Sequence, residues 1–271
     1  MTSAATIGRV ALSVFRESVR DRVLYLLVLF AVLLIAVSYL IGQLTAGQDI
    51  KIVKDFGLAA ISVFGLLIAI FIGVGLVWKE VEKRSIYSLL AKPVRRHEFV
   101  IGKFAGLALT LAVNVAAMTV AFYLTLAYIA TTFPPEARAA WTVPAADPAL
   151  LKAIGLMGVE LLLVTAVALF FSTFSSPFLS VVLTLGLWVI GTFNADLRNF
   201  DAVVESPAAA WLARGVYYVL PNFGAFDVKT QVVHGLAVPW SYVAVTTAYG
   251  VVYLGLLLAG AVAIFSRRDF K

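Results

Sequence analysis

Residues 23–42 read VLYLLVLFAVLLIAVSYLIG, a run from Val23 to Gly42 without one charged side chain. A helix needs roughly 20 apolar residues to cross ~30 Å of hydrocarbon, and this run supplies them in one piece. The rest of the chain agrees with it. Of 271 residues, 62% are hydrophobic and 13% charged, with a mean hydropathy of +0.99. Soluble domains are roughly half apolar and about a quarter charged. No water-surrounded core hides this much apolar surface, so lipid must be part of the solvent. There is no cysteine, which excludes disulfides, thiolate metal sites and a cysteine nucleophile.

Working outward from that run, five more apolar stretches follow. Phe56 to Val77 ends at a cluster of charges, and Phe104 to Ala130 has Asn114 as its one strongly polar member. Ala153 to Phe171 carries a single acid, Glu160. Pro177 to Phe193 is short and separated from its predecessor only by Ser172-Thr173-Phe174-Ser175-Ser176. Ser241 to Ser266 is the last. The sequence therefore predicts an all-α polytopic membrane protein with six transmembrane helices in one domain over residues 1–271 (spans 23–42, 56–77, 104–130, 153–171, 177–193 and 241–266).

Orientation follows from Lys and Arg in the connections. One side holds 14 of them, from Arg9, Arg16, Arg20 and Arg22 through the 79–103 connection to Arg267, Arg268 and Lys271; the other holds 7, including Lys51, Lys54, Lys152 and Lys229. The richer side is expected to be cytoplasmic, with both termini there, in a bacterial inner membrane. The net charge of +6 is thereby assigned to topology, and no nucleic-acid partner is expected. No cleavable signal is expected before the first span.

Residues 6–22 place Ile7, Val10, Ala11, Val14, Phe15 and Ser18 at helical spacing with the arginines largely elsewhere. Such a helix can lie in the headgroup plane; it can equally be a solvated lead-in to the first span. Residues 132–148 form a Pro-rich outer loop, and residues 194–240 form a longer outer segment too polar to span. Enzyme signatures are missing. His97 and His234 fall in different compartments, so no metal site is expected. No G-x-x-x-x-G-K-[ST] is present, so ATP and Mg are not expected to bind this chain.

The segment 79–98 follows the second span and carries Glu80, Glu82, Arg95, Arg96 and Glu98. Read as helix, it gathers Val81, Ile86, Leu89 and Leu90 on one stripe. Lys92 precedes Pro93, which ends a helix there, and a second short helix is expected from about Arg95. A charged elbow of this kind suits docking to a soluble protein; it is equally a positive-inside loop that fixes topology.

The pattern E-x-E-K-x-[ST]-I-x-x-L-L-x-K-P-V-x-R-x-E-F-x-x-G-K over residues 80–103 resembles the cytoplasmic segment of ABC-2-type permeases, the exporter-class membrane subunits of ABC transporters. The N-terminal stretch is similar to that family's interfacial elbow helix. Leu220-Pro221-Asn222-Phe223 and Phe265-Ser266-Arg267-Arg268-Asp269-Phe270 are similar to family patterns as well. Arg84-Ser85 stands where many relatives have Gly-Thr. The resemblance implies a permease that is not itself an enzyme and pairs with a second permease copy and with separate ATP-binding subunits, which bind ATP and Mg. It implies that Glu80, Glu82, Ile86, Leu89, Leu90, Arg95, Arg96 and Glu98 form the coupling surface. It extends to permeases of nitrous-oxide reductase maturation, whose resemblance implies an alternative: transmission of ATPase motion to a periplasmic partner without solute export. A secondary carrier or membrane-embedded enzyme is a third reading, opposed by the sparse intramembrane charge.

Four further residues are candidates for packing or a pathway. Gly102-x-x-x-Gly106 permits close helix approach. Asn114 is expected to hydrogen-bond between helices. Glu160 is a pathway or subunit-interface group, or an acid snorkelling to the outer headgroups eight residues from Lys152. The aromatics Trp211, Tyr217, Tyr218 and Phe223 read as an interfacial belt or a ligand cage.

Overall fold

The computed structural model describes residues 3–42, 49–82, 95–133, 143–194 and 207–267, with residues 135, 138 and 141 between them. The regular elements among the described residues are helices: α1 Ser3–Ser18, α2 Arg22–Gly42, α3 Asp49–Glu82, α4 Arg96–Thr132, α5 Leu150–Ser172, α6 Pro177–Thr192, α7 Pro207–Val219, a 3₁₀ turn Phe223–Phe226, α8 Lys229–Val233 and α9 Trp240–Arg267. Five of them (α2, α3, α4, α5 and α9) are long and apolar enough to cross a membrane. The sequence also expected 177–193 to span. Helix α6 stands there with 16 residues, about 24 Å of rise, which is short of a full crossing.

The bundle is organised around α5. Its sequence is apolar on every side, and such a helix belongs in the interior. Leu156, Leu163, Val164, Ala166 and Ala168 are all fully buried. Small residues let its neighbours approach: a Cβ added at Gly73 of α3 would sit 2.5 Å from the Ala168 Cβ, a distance no side chain tolerates. Gly65 faces Leu161 as Gly73 faces Ala168, so α3 and α5 run in the same direction. Gly250 beside Val159 and Gly260 beside Phe170 give α9 that direction too. The five-residue reversal 172–176 turns α6 back along α5. Ser172, Thr173 and Ser175 cap the last carbonyls of α5 (Leu169, Phe170 and Phe171) at 2.7–2.9 Å. Ser176 then accepts from the Leu179 amide, with Pro177 in the first turn of α6, a standard start for a helix.

Two element boundaries differ from the sequence reading. Helix α1 ends at Ser18 rather than running to residue 22, because Asp21 accepts the Val23 amide at 3.0 Å and so caps a new helix at Arg22. The short helix expected from Arg95 is not separate. It is the first part of α4, a 37-residue helix about 55 Å long, well beyond what hydrocarbon requires.

The outward faces are apolar. Tyr25, Leu29 and Phe30 of α2, Val120 and Leu124 of α4, Phe178 of α6 and Val251, Val252 and Leu256 of α9 are all more than half exposed. Apolar surface of that extent fits lipid, not water.

Candidate functional site

The bundle has two chemically different ends. At the elbow end, the start of α4 meets the end of α9. The Arg95 amide donates to the Glu98 carboxylate at 3.2 Å, which satisfies one of the orphan amides at a helix start. The Arg96 guanidinium donates to the carbonyls of Phe265 (3.2 Å) and Ser266 (2.7 Å), closing the exposed C-terminus of α9 with positive charge. Phe99 stacks on Phe265 with ring centroids 5.7 Å apart. Lys103 is 1% exposed, with its ammonium 5.3 Å from the Phe99 ring centre. Arg95, Arg96 and Glu98 are thus brought together around the α4–α9 junction. Glu80 and Glu82 lie in the last turn of α3, their side chains outside the described residues, as are Ile86, Leu89 and Leu90 altogether.

The glycine pair has a definite partner. A Cβ at Gly102 would lie 2.8 Å from the Val10 Cβ and 3.0 Å from the Ile7 carbonyl oxygen. One at Gly106 would lie 2.6 Å from the Ala11 carbonyl oxygen and 2.7 Å from the Val14 Cβ. The register rises together on both helices, so α1 runs parallel to the first turns of α4, and Ser3 hydrogen-bonds Glu98 at its start. This is the small-residue geometry that lets two helix backbones touch. The opposite face of α1 exposes Arg9, Arg16 and Leu12. Asn114 departs from expectation: its amide donates to the Thr110 carbonyl of its own helix at 2.7 Å, the intrahelical bond open to a short polar side chain.

At the opposite, cap end, residues 220–238 fold back onto the bundle. Phe223, Phe226, Val228, Val232 and Val233 are all buried. The Asn194 side chain donates to the Leu220 carbonyl at 3.1 Å, the Asn222 amide donates to the Tyr249 hydroxyl oxygen at 2.8 Å, and Tyr242 donates to the Ala225 carbonyl at 2.7 Å. Three lysines make hydrogen bonds at this end. Lys54 donates to the Pro144 carbonyl at 2.7 Å, and Lys152 to that of Val238 at 2.7 Å, its ammonium 4.7 Å from the Trp240 ring centre. Lys229 reaches Ser62 of α3 at 3.4 Å and Asp227 at 3.3 Å.

Glu160 lies beneath this cap. It is 9% exposed and accepts from the Trp188 indole of α6 at 2.9 Å, within electrostatic range of Lys229. The snorkelling geometry is therefore not what the side chain adopts: it turns inward to a donor on α6. Sequence reading missed Trp188, Lys54 and Lys229. The lysines looked like topogenic charges, and an indole inside an apolar run carries no sign of its partner. Trp188→Phe is expected to cost about 1–3 kcal/mol by leaving a buried acceptor without its donor. Adding Glu160→Leu should recover most of the loss, because both partners are then apolar. Thermal unfolding in detergent micelles measures both; an unchanged midpoint for Trp188→Phe contradicts the hydrogen bond's role.

Five long apolar helices, a largely buried central helix and lipid-type outer faces define a multi-pass membrane protein. The chain belongs to the ABC-2 family transporter proteins, whose family pattern matches residues 10–270. Members are membrane permease subunits, not catalytic themselves as a rule, that usually work with a separate ATP-binding subunit. No curated protein matches the chain.

Proposed function

We propose that this chain is the permease subunit of an ABC exporter, paired with a second permease copy and driven by separate ATPase subunits. Family membership over residues 10–270 carries the reading, and the elbow end supports it. There α1, the start of α4 and the end of α9 are joined by Arg96, Glu98, Phe99 and the Gly102/Gly106 seat. A push on segment 79–98 would therefore reach three helices at once. In this reading α6 is a sixth, short membrane helix, the elbow end is cytoplasmic and the cap faces outward. ATP-driven closure of the ATPases shifts the bundle between inward and outward states, with the cap residues 220–238 over its outer mouth.

Copurification in mild detergent is the direct test. A P-loop ATPase should accompany the chain, and the chain purified alone should hydrolyse no ATP above a contaminant control. Hydrolysis in proportion to the lone chain would overturn the reading.

Topology has its own test, made clean by the absence of native cysteine. Asp227→Cys, at the cap, should react with membrane-impermeant maleimide added to intact cells. Labelling only after the reagent has crossed the membrane places the cap inside and reverses the orientation.

A further inference from the structure

We propose that a tyrosine-lined cavity at the cap end binds a quaternary-ammonium amphipath, with the cationic head among the rings and the alkyl chain along α9. This goes beyond the permease reading and does not require an ATPase. The cavity has a volume of about 400 Å³ and is lined by Tyr217, Tyr218, Tyr249 and Tyr253, together with Asn194 and Val245. That is the size of a small-molecule site. Among the described residues that line it there is no lysine, arginine or carboxylate, the groups that most often recognise phosphate or carboxylate ligands.

What the described walls do offer is aromatic rings, with a buried carbonyl oxygen beside them. Tyr249 and Tyr253 pack with centroids 5.0 Å apart, Tyr217 and Tyr218 with centroids 5.1 Å apart. Hydrogen bonds fix two of the rings: the Tyr249 oxygen accepts from the Asn222 amide, and Tyr253 donates to the Val219 carbonyl at 3.4 Å. Asn194 is 1% exposed. Its amide nitrogen is engaged with the Leu220 and Tyr217 carbonyls, which fixes the side chain's orientation. Its Oδ1 is buried without a hydrogen-bond partner among the described residues. Tyrosine faces and an unpaired carbonyl oxygen both present negative potential, which favours a weakly hydrated cation over an anion or a neutral group. A plain interfacial belt of tyrosines has no reason to bury an unpaired acceptor among them.

The chain of the ligand has a track. Val245, Val252 and Leu256 are 70%, 62% and 64% exposed and share one stripe of α9 with Tyr249 and Tyr253. Counting about 20 residues back from Ile264 sets the outer edge of the hydrocarbon near Val245. The cavity therefore opens where a headgroup meets acyl chains.

The test uses the full chain in nanodiscs with three probes of equal chain length: octyltrimethylammonium, octyl glucoside and octyl sulfate. Equilibrium dialysis is read after subtracting empty discs of the same lipid. The cation should bind saturably, at about one per chain, and at least ~10-fold more tightly than the other two. Tyr217→Phe with Tyr218→Phe keeps the rings and should keep the affinity; Tyr217→Leu with Tyr218→Leu should lose ~10-fold or more. Equal affinities for the three probes, or an unchanged affinity in the leucine pair, would overturn the site. The order of the probes on the unmodified chain decides the question even where a variant fails to fold.

Discussion

Replacing Leu89 and Leu90 together by alanine should release the ATPase from the purified complex while the permease still inserts. The expectation rests on an excess of chemistry in the connection from Lys79 to Lys103. It holds 7 of the 14 Lys and Arg assigned to the cytoplasmic side, together with Glu80, Glu82 and Glu98 and the apolar stripe of Val81, Ile86, Leu89 and Leu90. A loop that only fixes topology gains nothing from three acids and a stripe of leucine, because orientation is read from Lys and Arg. Apolar anchors at the centre of an interface typically cost about 2 kcal/mol or more each when truncated, roughly 30-fold in affinity. Two of them exceed what a complex survives through purification. Charges at the rim act mainly on encounter, so Glu80→Lys should slow association and raise its sensitivity to salt without abolishing the complex. Pull-down from solubilised membranes, with insertion scored separately, gives the answer. Full ATPase occupancy and coupled turnover in the double mutant would show that the docking surface lies elsewhere.

The long helices were legible because their physics is local. The sequence predicts Val23–Gly42 and Ala153–Phe171, and the helices run Arg22–Gly42 and Leu150–Ser172. Arg22, Gly42 before Gln43 and Ser172 each sit where an apolar run meets polar sequence, and lipid makes that boundary steep. Errors arose where a charged residue has a tertiary partner. His97, Glu98 and Lys103 suggested that α4 begins near Phe104, yet Glu98 caps the helix start and Lys103 is buried against Phe99. Lys54 and Lys229 count in the sequence only as outer charges; their partners, the Pro144 carbonyl and the Ser62 hydroxyl, leave no mark in it. The fold-back of 220–238 carries no sequence period, because Phe223, Phe226, Val228, Val232 and Val233 are interrupted by Gly, Asp and Lys. Their burial is decided by α3, α5 and α6, on which they pack. The glycine motif showed the same limit from the other side: spacing says that some helix approaches closely, but not that the helix is α1.

That last pairing gives the second large effect. Gly102→Leu with Gly106→Leu should detach α1 from α4. At Gly106 even a Cβ meets the Ala11 carbonyl at 2.6 Å and the Val14 Cβ at 2.7 Å, and at Gly102 it meets the Val10 Cβ at 2.8 Å. The obstacle includes backbone, which does not swing aside as a long side chain does, so the helix itself must move. Overpacking of this kind costs about 1–3 kcal/mol at each position, comparable to what a short helix gains by docking. Gly8 is the matched control, because nothing lies within 4 Å of an added Cβ there, and Gly8→Leu should leave α1 in place. The readout is a cysteine at Val14, a position only 5% exposed, in a chain with no other cysteine. Maleimide should label it slowly in the Gly8→Leu background and at least ~10-fold faster in the double leucine background, if docking is worth about 1.4 kcal/mol or more. If the elbow end also couples α1 to the ATPase stroke, the double leucine variant retains the bound ATPase but loses ATP-driven transport. Equal labelling rates in the two backgrounds would mean that α1 keeps its seat without the glycines, and that the close approach seen at Gly102 and Gly106 is not what holds it.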